Sequence, residues 1–226
     1  MNTTKMTNAE LLSQQSTLIA SADGYDYRDL NKNGRLDVYE DPRQPVEARV
    51  EDLLGQMTLE EKAGCMFING ARVNSDGSLE DAPGPGGFGR GAPGQVTEQR
   101  MNHFNLWEAP AAGMIARWQN NLQRFAEQTR LGIPVTLASD PRSHFSQSVF
   151  AMRATDFSLW CETLGFAAIG DPDLVRQFAE IVRREYVAVG IRMALHPQVD
   201  LATEPRWARI SGAFGEDARL TALLAT

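Results

Sequence analysis

The chain has 226 residues, 42% of them apolar and 23% charged, with a formal net charge of −7. That size suits one large domain, or a small arm and a domain, of ordinary globular composition. The acidic balance argues against a nucleic-acid backbone as partner, and no stretch approaches the roughly 20 apolar residues a membrane helix requires.

The first 23 residues are polar and weakly patterned, and are expected to be mobile at the start. They lack the basic start and apolar block of a signal peptide, so the compartment is left open between cytoplasm and export with the leader absent. Residues 29–40, DLNKNGRLDVYE, then fit the twelve-residue calcium loop. Asp29, Asn31 and Asn33 take positions one, three and five, and Gly34 takes six. The Arg35 carbonyl takes seven, Asp37 nine, and Glu40 supplies a bidentate carboxylate at twelve. Oxygen ligands at alternate residues can wrap a hard cation; the plainer alternative is an Asx-rich turn. Pro42 and Pro45 block an exit helix, and no second loop exists to pair with this one. The expectation is a lone structural Ca2+ site that holds an N-terminal arm, residues 1–44, onto the main domain.

From Pro45, the residues Val46, Val50, Leu53, Leu54 and Met57 recur at helical spacing. Thr58 with Glu61 forms a capping box that opens a second short helix. A first strand is expected around residues 63–68. Residues 74–99 read as a loop rich in glycine and proline; Gly84, Gly86 and Gly89 spell GxGxxG without the strand-to-helix context a dinucleotide site needs. A long helix follows, with Ile115, Trp118, Leu122, Phe125 and Ala126 on one face and Leu131-Gly132 ending it. IPVTLA is a short strand that breaks off at Ser139-Asp140. Asp171-Pro172 caps another helix, striped by Leu174, Val175, Phe178, Ile181, Val182 and Val189. Gly190 ends that helix, and IRMAL is the next strand. Cys65 and Cys161 lie in apolar surroundings and read as free thiols rather than a disulfide.

Strand and helix alternating in this way imply βαβ units and a parallel sheet. The fold class is therefore α/β, a partial (β/α)8 TIM-type barrel over residues 45–226 preceded by the arm with its calcium-type loop. A whole barrel takes about 250 residues, so about the first half is expected here, as a truncated or partial sequence. Such an open sheet would expose its edge strand and apolar faces.

The densest polar segment is residues 195–217, LHPQVDLATEPRWARISGAFGED, which follows a strand. In parallel α/β proteins the C-terminal end of a strand is where ligands bind. A structural salt-bridge loop is the alternative. Residues 200–217 follow the pattern D-[LA]-x-x-[ED]-P-R-W-x-R-x-x-x-x-[FY]-[GS]-E-D, which closely resembles the signature of glycoside hydrolase family 3, the β-glucosidase-like enzymes. Residues 45–64, 129–142 and 162–197 resemble the same family in the same order, so the likeness runs from near Pro45 to the last residue.

The resemblance implies a retaining glycosidase that removes β-linked glucose from a non-reducing end, with no cofactor for catalysis. Two carboxylates about 5–5.5 Å apart would perform a double displacement. The family's nucleophile sits in an S-D-W-like motif and its acid/base lies further downstream. Neither motif occurs in these 226 residues, so no catalytic residue is assigned and the chain alone is expected to be inactive, its missing C-terminal part being a required partner. What the likeness does assign is sugar binding, to Asp140 and Arg209. A carboxylate can accept from two adjacent hydroxyls, and a guanidinium fork can donate to the same ring. Arg142 and His144 are weaker candidates for the pocket wall. Arg206 and Trp207 read as scaffold, with Asp200, Glu204 or Asp217 as partners for Arg206. Glu216 and Asp217 open the next helix, and His196 is a hydrogen-bonded residue at a strand end. Cys161 stands where the family commonly has proline before Glu162. A β-xylosidase or β-N-acetylglucosaminidase of the same family is the alternative enzyme, and a calcium-dependent carbohydrate-binding module is the alternative from another class.

Overall fold

A computed structural model describes residues 18–20, 24, 26–79, 90–107, 110–144 and 156–226. The polar start of the chain and the GxGxxG spelling fall outside the described residues. A short antiparallel pair, β1 (Leu18–Ala20) and β2 (Asp26–Arg28), precedes the loop of residues 29–40, which ends in a 3-10 turn, Val38–Glu40. Helices α1 (Val46–Gln56) and α2 (Leu59–Cys65) follow. The Thr58 hydroxyl accepts from the Glu61 amide while the Glu61 carboxylate accepts from the Thr58 amide, so the expected capping box forms. That box launches a helix through Cys65, which puts the first strand of the four-stranded sheet, β3, later than expected, at Ile68–Ala71. Lys62 and Ala63 favour helix over strand.

One element inside the segment read as loop, and one just after it, had no counterpart in the sequence reading. Helix α3 (Ala92–Thr97) starts after Gly91 with proline in its first turn, and β4 (His103–Leu106) follows. Proline at a helix start has no amide hydrogen to lose, so a residue read as a breaker serves as an opener. β4 carries His103 and Asn105 in four residues, too short and too polar to stand out as an apolar run.

The long helix α4 (Ala112–Glu127) buries Ile115, Trp118, Leu122 and Ala126 almost completely, as its periodicity predicts. Next come β5 (Thr136–Ser139), α5 (Thr163–Ile169), α6 (Pro172–Val189), β6 (Ile191–Ala194), a 3-10 turn (Ile210–Gly212) and α7 (Ala218–Leu224). Asp171 caps α6 by accepting from the Asp173 and Leu174 amides. Gly190 ends it at φ +89, a conformation that costs a side-chain-bearing residue about 1 kcal/mol or more.

The sheet order is β3-β4-β5-β6, the same as the chain order. β5 and β6 pair in parallel, with Leu137 opposite Ile191 and Ser139 opposite Ala194. Parallel neighbours joined through α5 and α6 are the expected βα arrangement. The end strands carry exposed apolar side chains, Ile68 on β3 and Met193 on β6. The α1 stripe also stays open, with Val46 65% and Val50 47% exposed.

By contacts the chain divides into two compact units, residues 1–104 with 117–136, and residues 105–116 with 137–226. The boundary expected at residues 44 and 45 is therefore not a boundary between units. The arm is tied into the first unit by polar bonds: the Tyr39 amide donates to Asp52, the Tyr39 hydroxyl to the Leu131 carbonyl, and Asn31 to Gln56. Arg28 also pairs with Glu127. In the second unit Phe166, Val175, Phe214 and Leu224 form a core against which Trp160, Cys161 and Phe178 pack. Both cysteines are free thiols, and burial pushes both upward from the usual thiol range.

Gly64 on α2 leaves no room for a side chain, because a Cβ there would lie 2.2 Å from the Arg100 carbonyl oxygen. Gly64→Ala should destabilise the first unit by about 2–3 kcal/mol, seen as a lower urea midpoint. Gly55→Ala, on α1 with open space around it, should instead stabilise the unit by about 0.5–1 kcal/mol and raise the midpoint. Equal midpoints for the two variants would contradict this packing.

Candidate functional site

The site lies in the second unit, where β5 ends. Ser139 is fully buried and Asp140 follows it at the strand's C-terminal tip, half-buried. One Asp140 carboxylate oxygen, Oδ2, accepts from the Asn105 side-chain amide at 2.9 Å. Asn105 sits on β4, so the missed strand supplies the group that orients the predicted sugar-binding carboxylate. Its backbone is held as firmly. The Asp140 carbonyl accepts from the Ser139 hydroxyl at 2.8 Å and from the Tyr186 hydroxyl at 3.0 Å.

Tyr186 comes from α6 and is joined by His196, whose Nε2 lies 3.0 Å from the Tyr186 hydroxyl. The phenol proton is committed to the Asp140 carbonyl, so His196 Nε2 must carry a proton and donate. Burial, then the neighbouring His144, push His196 down to about 4. The ring is thus neutral at ordinary pH, as the Nε2–H tautomer. Burial pushes Tyr186 up to about 12, which keeps its proton in place. His196 is the hydrogen-bonded residue expected at the strand end, and a cis peptide joins it to Pro197.

Arg142, weighed as a pocket residue, is scaffold instead. It is 1% exposed, with Nε donating to the Ser139 hydroxyl at 2.6 Å and a terminal nitrogen to the Leu106 carbonyl at 2.9 Å. Burial lowers its affinity for its proton. His144 donates from Nδ1 to the Cys161 carbonyl at 2.7 Å and lines a small cavity.

Arg209 stands just before the 3-10 turn Ile210–Gly212 and is partly buried. It lines the same cavity, of about 60 Å3, together with Pro141, His144, Glu162 and Gln198. Pro141 directly follows Asp140 in the chain; Asp140 itself does not line this cavity. Arg206 turns away: it makes a two-pronged bond to Glu204, 2.8 and 2.9 Å, and both side chains are exposed. The Arg206 fork holds the Glu204 carboxylate well below the usual range. Of the partners considered, Glu204 is the one it uses. Asp217 caps α7 by accepting from the Arg219 and Leu220 amides, as expected. Glu162 also lines the cavity, a position with no signal in the sequence.

The predicted calcium loop closes on itself. Gly34 takes φ +80. Asp29 accepts from the Asn33 and Gly34 amides at 3.0 and 2.8 Å. Glu40 accepts from the Leu30, Asn31 and Asp37 amides. The Asn31 and Asn33 side-chain amides both point their NH2 groups at Asp37, and Arg35 lies 3.6 Å from it. These carboxylates face amide hydrogens, and no group of three or more acidic, histidine or cysteine side chains able to hold a metal stands together among the described residues. No described helix is long and apolar enough to cross a membrane.

Residues 105–226 match the family described as "Glycosyl hydrolase family 3 N terminal domain". The chain is 48% identical over 198 residues to "Beta-glucosidase C" of Emericella nidulans, which covers 87% of this chain and 31% of that protein. It is 44% identical over 217 residues to the "Periplasmic beta-glucosidase/beta-xylosidase" of Dickeya chrysanthemi, covering 93% of this chain and 32% of that one. The chain thus spans about a third of the length of these curated relatives. Among solved structures, a β-glucosidase from Erythrobacter marinus shares the fold with a TM-score of 0.64 at 22% identity, over 83% of this chain and 23% of that one. A β-N-acetylhexosaminidase from Beutenbergia cavernae shares it with a TM-score of 0.60 at 21% identity, over 75% and 48%. With more than half of its residues inside the family match and its signature seated beside the tip of a parallel strand, the chain belongs to glycosyl hydrolase family 3.

Proposed function

We propose that this chain supplies the sugar-gripping part of a retaining glycoside hydrolase that releases β-linked glucose from non-reducing ends. The observation that supports the reading is that Arg209 and Pro141, the residue after Asp140, line one cavity, with Asp140 held by Asn105. The relatives' printed names, β-glucosidase and β-glucosidase/β-xylosidase, support it. Asp140 and Arg209 hold the ring: the carboxylate accepts from two hydroxyls and the guanidinium donates to them. A carboxylate from outside residues 1–226 attacks the anomeric carbon, and a second one protonates the departing oxygen. By this reading the 226 residues bind a sugar and do not turn it over, so no nitrophenol should be released from an aryl β-glucoside. A xyloside or N-acetylglucosaminide substrate is the alternative.

Asp140→Asn keeps the shape and the bond to Asn105 but removes the charge. It should weaken binding of methyl β-D-glucoside by roughly tenfold to a hundredfold, as hydrogen bonds to charged groups do, with the melting temperature held within a few degrees. Titration followed by ligand-observed NMR measures this; unchanged affinity would exclude Asp140 from the sugar site.

We also propose that the loop of residues 29–40 takes a structural Ca2+ through Asp29, Asn31, Asn33, the Arg35 carbonyl, Asp37 and Glu40. The donor set suits a hard cation. The Asn31 and Asn33 NH2 groups that converge on Asp37 would give way to the ion by rotating the amide oxygens inward. A cation bound only by the folded loop must raise the melting temperature with concentration. Millimolar calcium should therefore stabilise the chain by several degrees, and Asp37→Ala should abolish the shift; the absence of any shift would leave the loop an Asx-rich turn.

A further inference from the structure

Glu162 precedes α5 as its N-cap residue, yet its side chain makes no capping hydrogen bond. Its Oε1 is buried and has no hydrogen-bond partner among the described residues. The Gln198 side-chain oxygen is in the same state. Both residues line the 60 Å3 cavity that Arg209 also lines. A buried acceptor without a donor costs about 1–3 kcal/mol, so two of them at one cavity call for a donor from beyond the described residues, and a bound ligand can supply it.

Size narrows what that donor is. A dry cavity of about 150 Å3 takes a benzene ring, so one of 60 Å3 has room for two or three heavy atoms. A pyranose ring is too large, but a single hydroxymethyl arm fits. Its hydroxyl can donate to Glu162 or Gln198 while accepting from Arg209, matching a wall that offers both roles. Gly212 keeps the space open, since a Cβ there would come within 3.1 Å of the Gln198 amide oxygen.

We infer that this cavity is a pocket for the hydroxymethyl arm of the bound sugar, with Glu162 as the acceptor that makes the site prefer a hexose over a pentose. The inference rests on the sugar-site reading above and adds a specificity-determining residue to it. The ring stays at the cavity mouth, held by Asp140 and Arg209. Only the arm enters, and an arm without its hydroxyl leaves the Glu162 oxygen unsatisfied.

Three probes separate the possibilities: methyl β-D-glucoside, its 6-deoxy analogue, and methyl β-D-xyloside, titrated into the 226-residue chain by ligand-observed NMR. The wild-type chain should bind the glucoside roughly tenfold tighter than either of the others, the loss that goes with one unmade hydrogen bond. Glu162→Leu should bring glucoside affinity down to that for the xyloside while leaving the xyloside unchanged. Glu162→Gln, which keeps an acceptor, should restore part of the preference. Gly212→Ala, which narrows the cavity without touching Glu162, should weaken glucoside binding alone. Equal binding of all three probes by the wild-type chain would overturn the inference while leaving the sugar site standing, and would assign the cavity to ordered water. A preference that survives Glu162→Leu in a chain with a normal melting curve would also overturn it. Failure of every probe to bind, with Asp140→Asn indistinguishable from wild type, would overturn the sugar-site reading itself.

Discussion

The geometry of the site depends on one acceptor, the carbonyl oxygen of Asp140. Two donors occupy it, the Ser139 hydroxyl and the Tyr186 phenol, and each of these is itself held by a nitrogen donor, Arg142 and His196 respectively. The strand end, helix α6 and the segment after β6 therefore converge on a single peptide. Burying Arg142 is costly because a cation leaves water for an apolar interior. The hydrogen bonds to Ser139 and Leu106 offset part of that cost, and what the protein gains is a fixed turn. A carboxylate mounted on such a turn does not need to be ordered again when a ligand arrives, which is the energetic advantage of preorganisation.

The same turn connects to the apolar core of the second unit. His144 donates to the Cys161 carbonyl, and its ring lies 5.7 Å from Phe178. Phe178 packs on Phe166 at 4.7 Å and on Trp160 at 5.6 Å. Glu162 follows Cys161 in the chain, and Gly165 sits so close that a Cβ there would meet the Cys161 side chain at 2.9 Å. The backbone that carries Glu162 is thus anchored on both sides by packing, and among the described residues no hydrogen bond holds its Oε1.

What the sequence made legible followed from periodicity and from local chemistry. The α4 and α6 stripes, the Thr58–Glu61 box, the Asp171 and Asp217 caps and the Gly190 stop all depend on residues within a few positions of one another. β4 was illegible because four residues with two polar side chains carry no periodic signal, although its Asn105 is what grips Asp140. The short strand β3 was displaced because a capped helix ran further than its apolar neighbours suggested. The cavity wall was hidden for a different reason. Glu162, Gln198 and Arg209 are scattered over 48 positions, and only the folded chain shows that they face one space.

The three arginines near the site show most clearly what sequence spacing cannot decide. Arg142, Arg206 and Arg209 all lie close to acidic residues in the chain, and each could be drawn as a sugar ligand. Folding distinguishes them by where it places them. Arg142 is enclosed and spent on a hydroxyl and a carbonyl, so its role is to shape the turn. Arg206 is exposed, and its fork is matched edge to edge with the Glu204 carboxylate two residues away, a pair that neighbouring positions can form in almost any loop. Arg209 is neither enclosed nor turned out to solvent but forms part of a cavity wall beside two buried acceptors. A guanidinium there can donate to a hydroxyl that in turn donates to a carboxylate. That pairing of a fixed donor with a fixed acceptor across a space two or three atoms wide recognises a hydroxyl group rather than an ion.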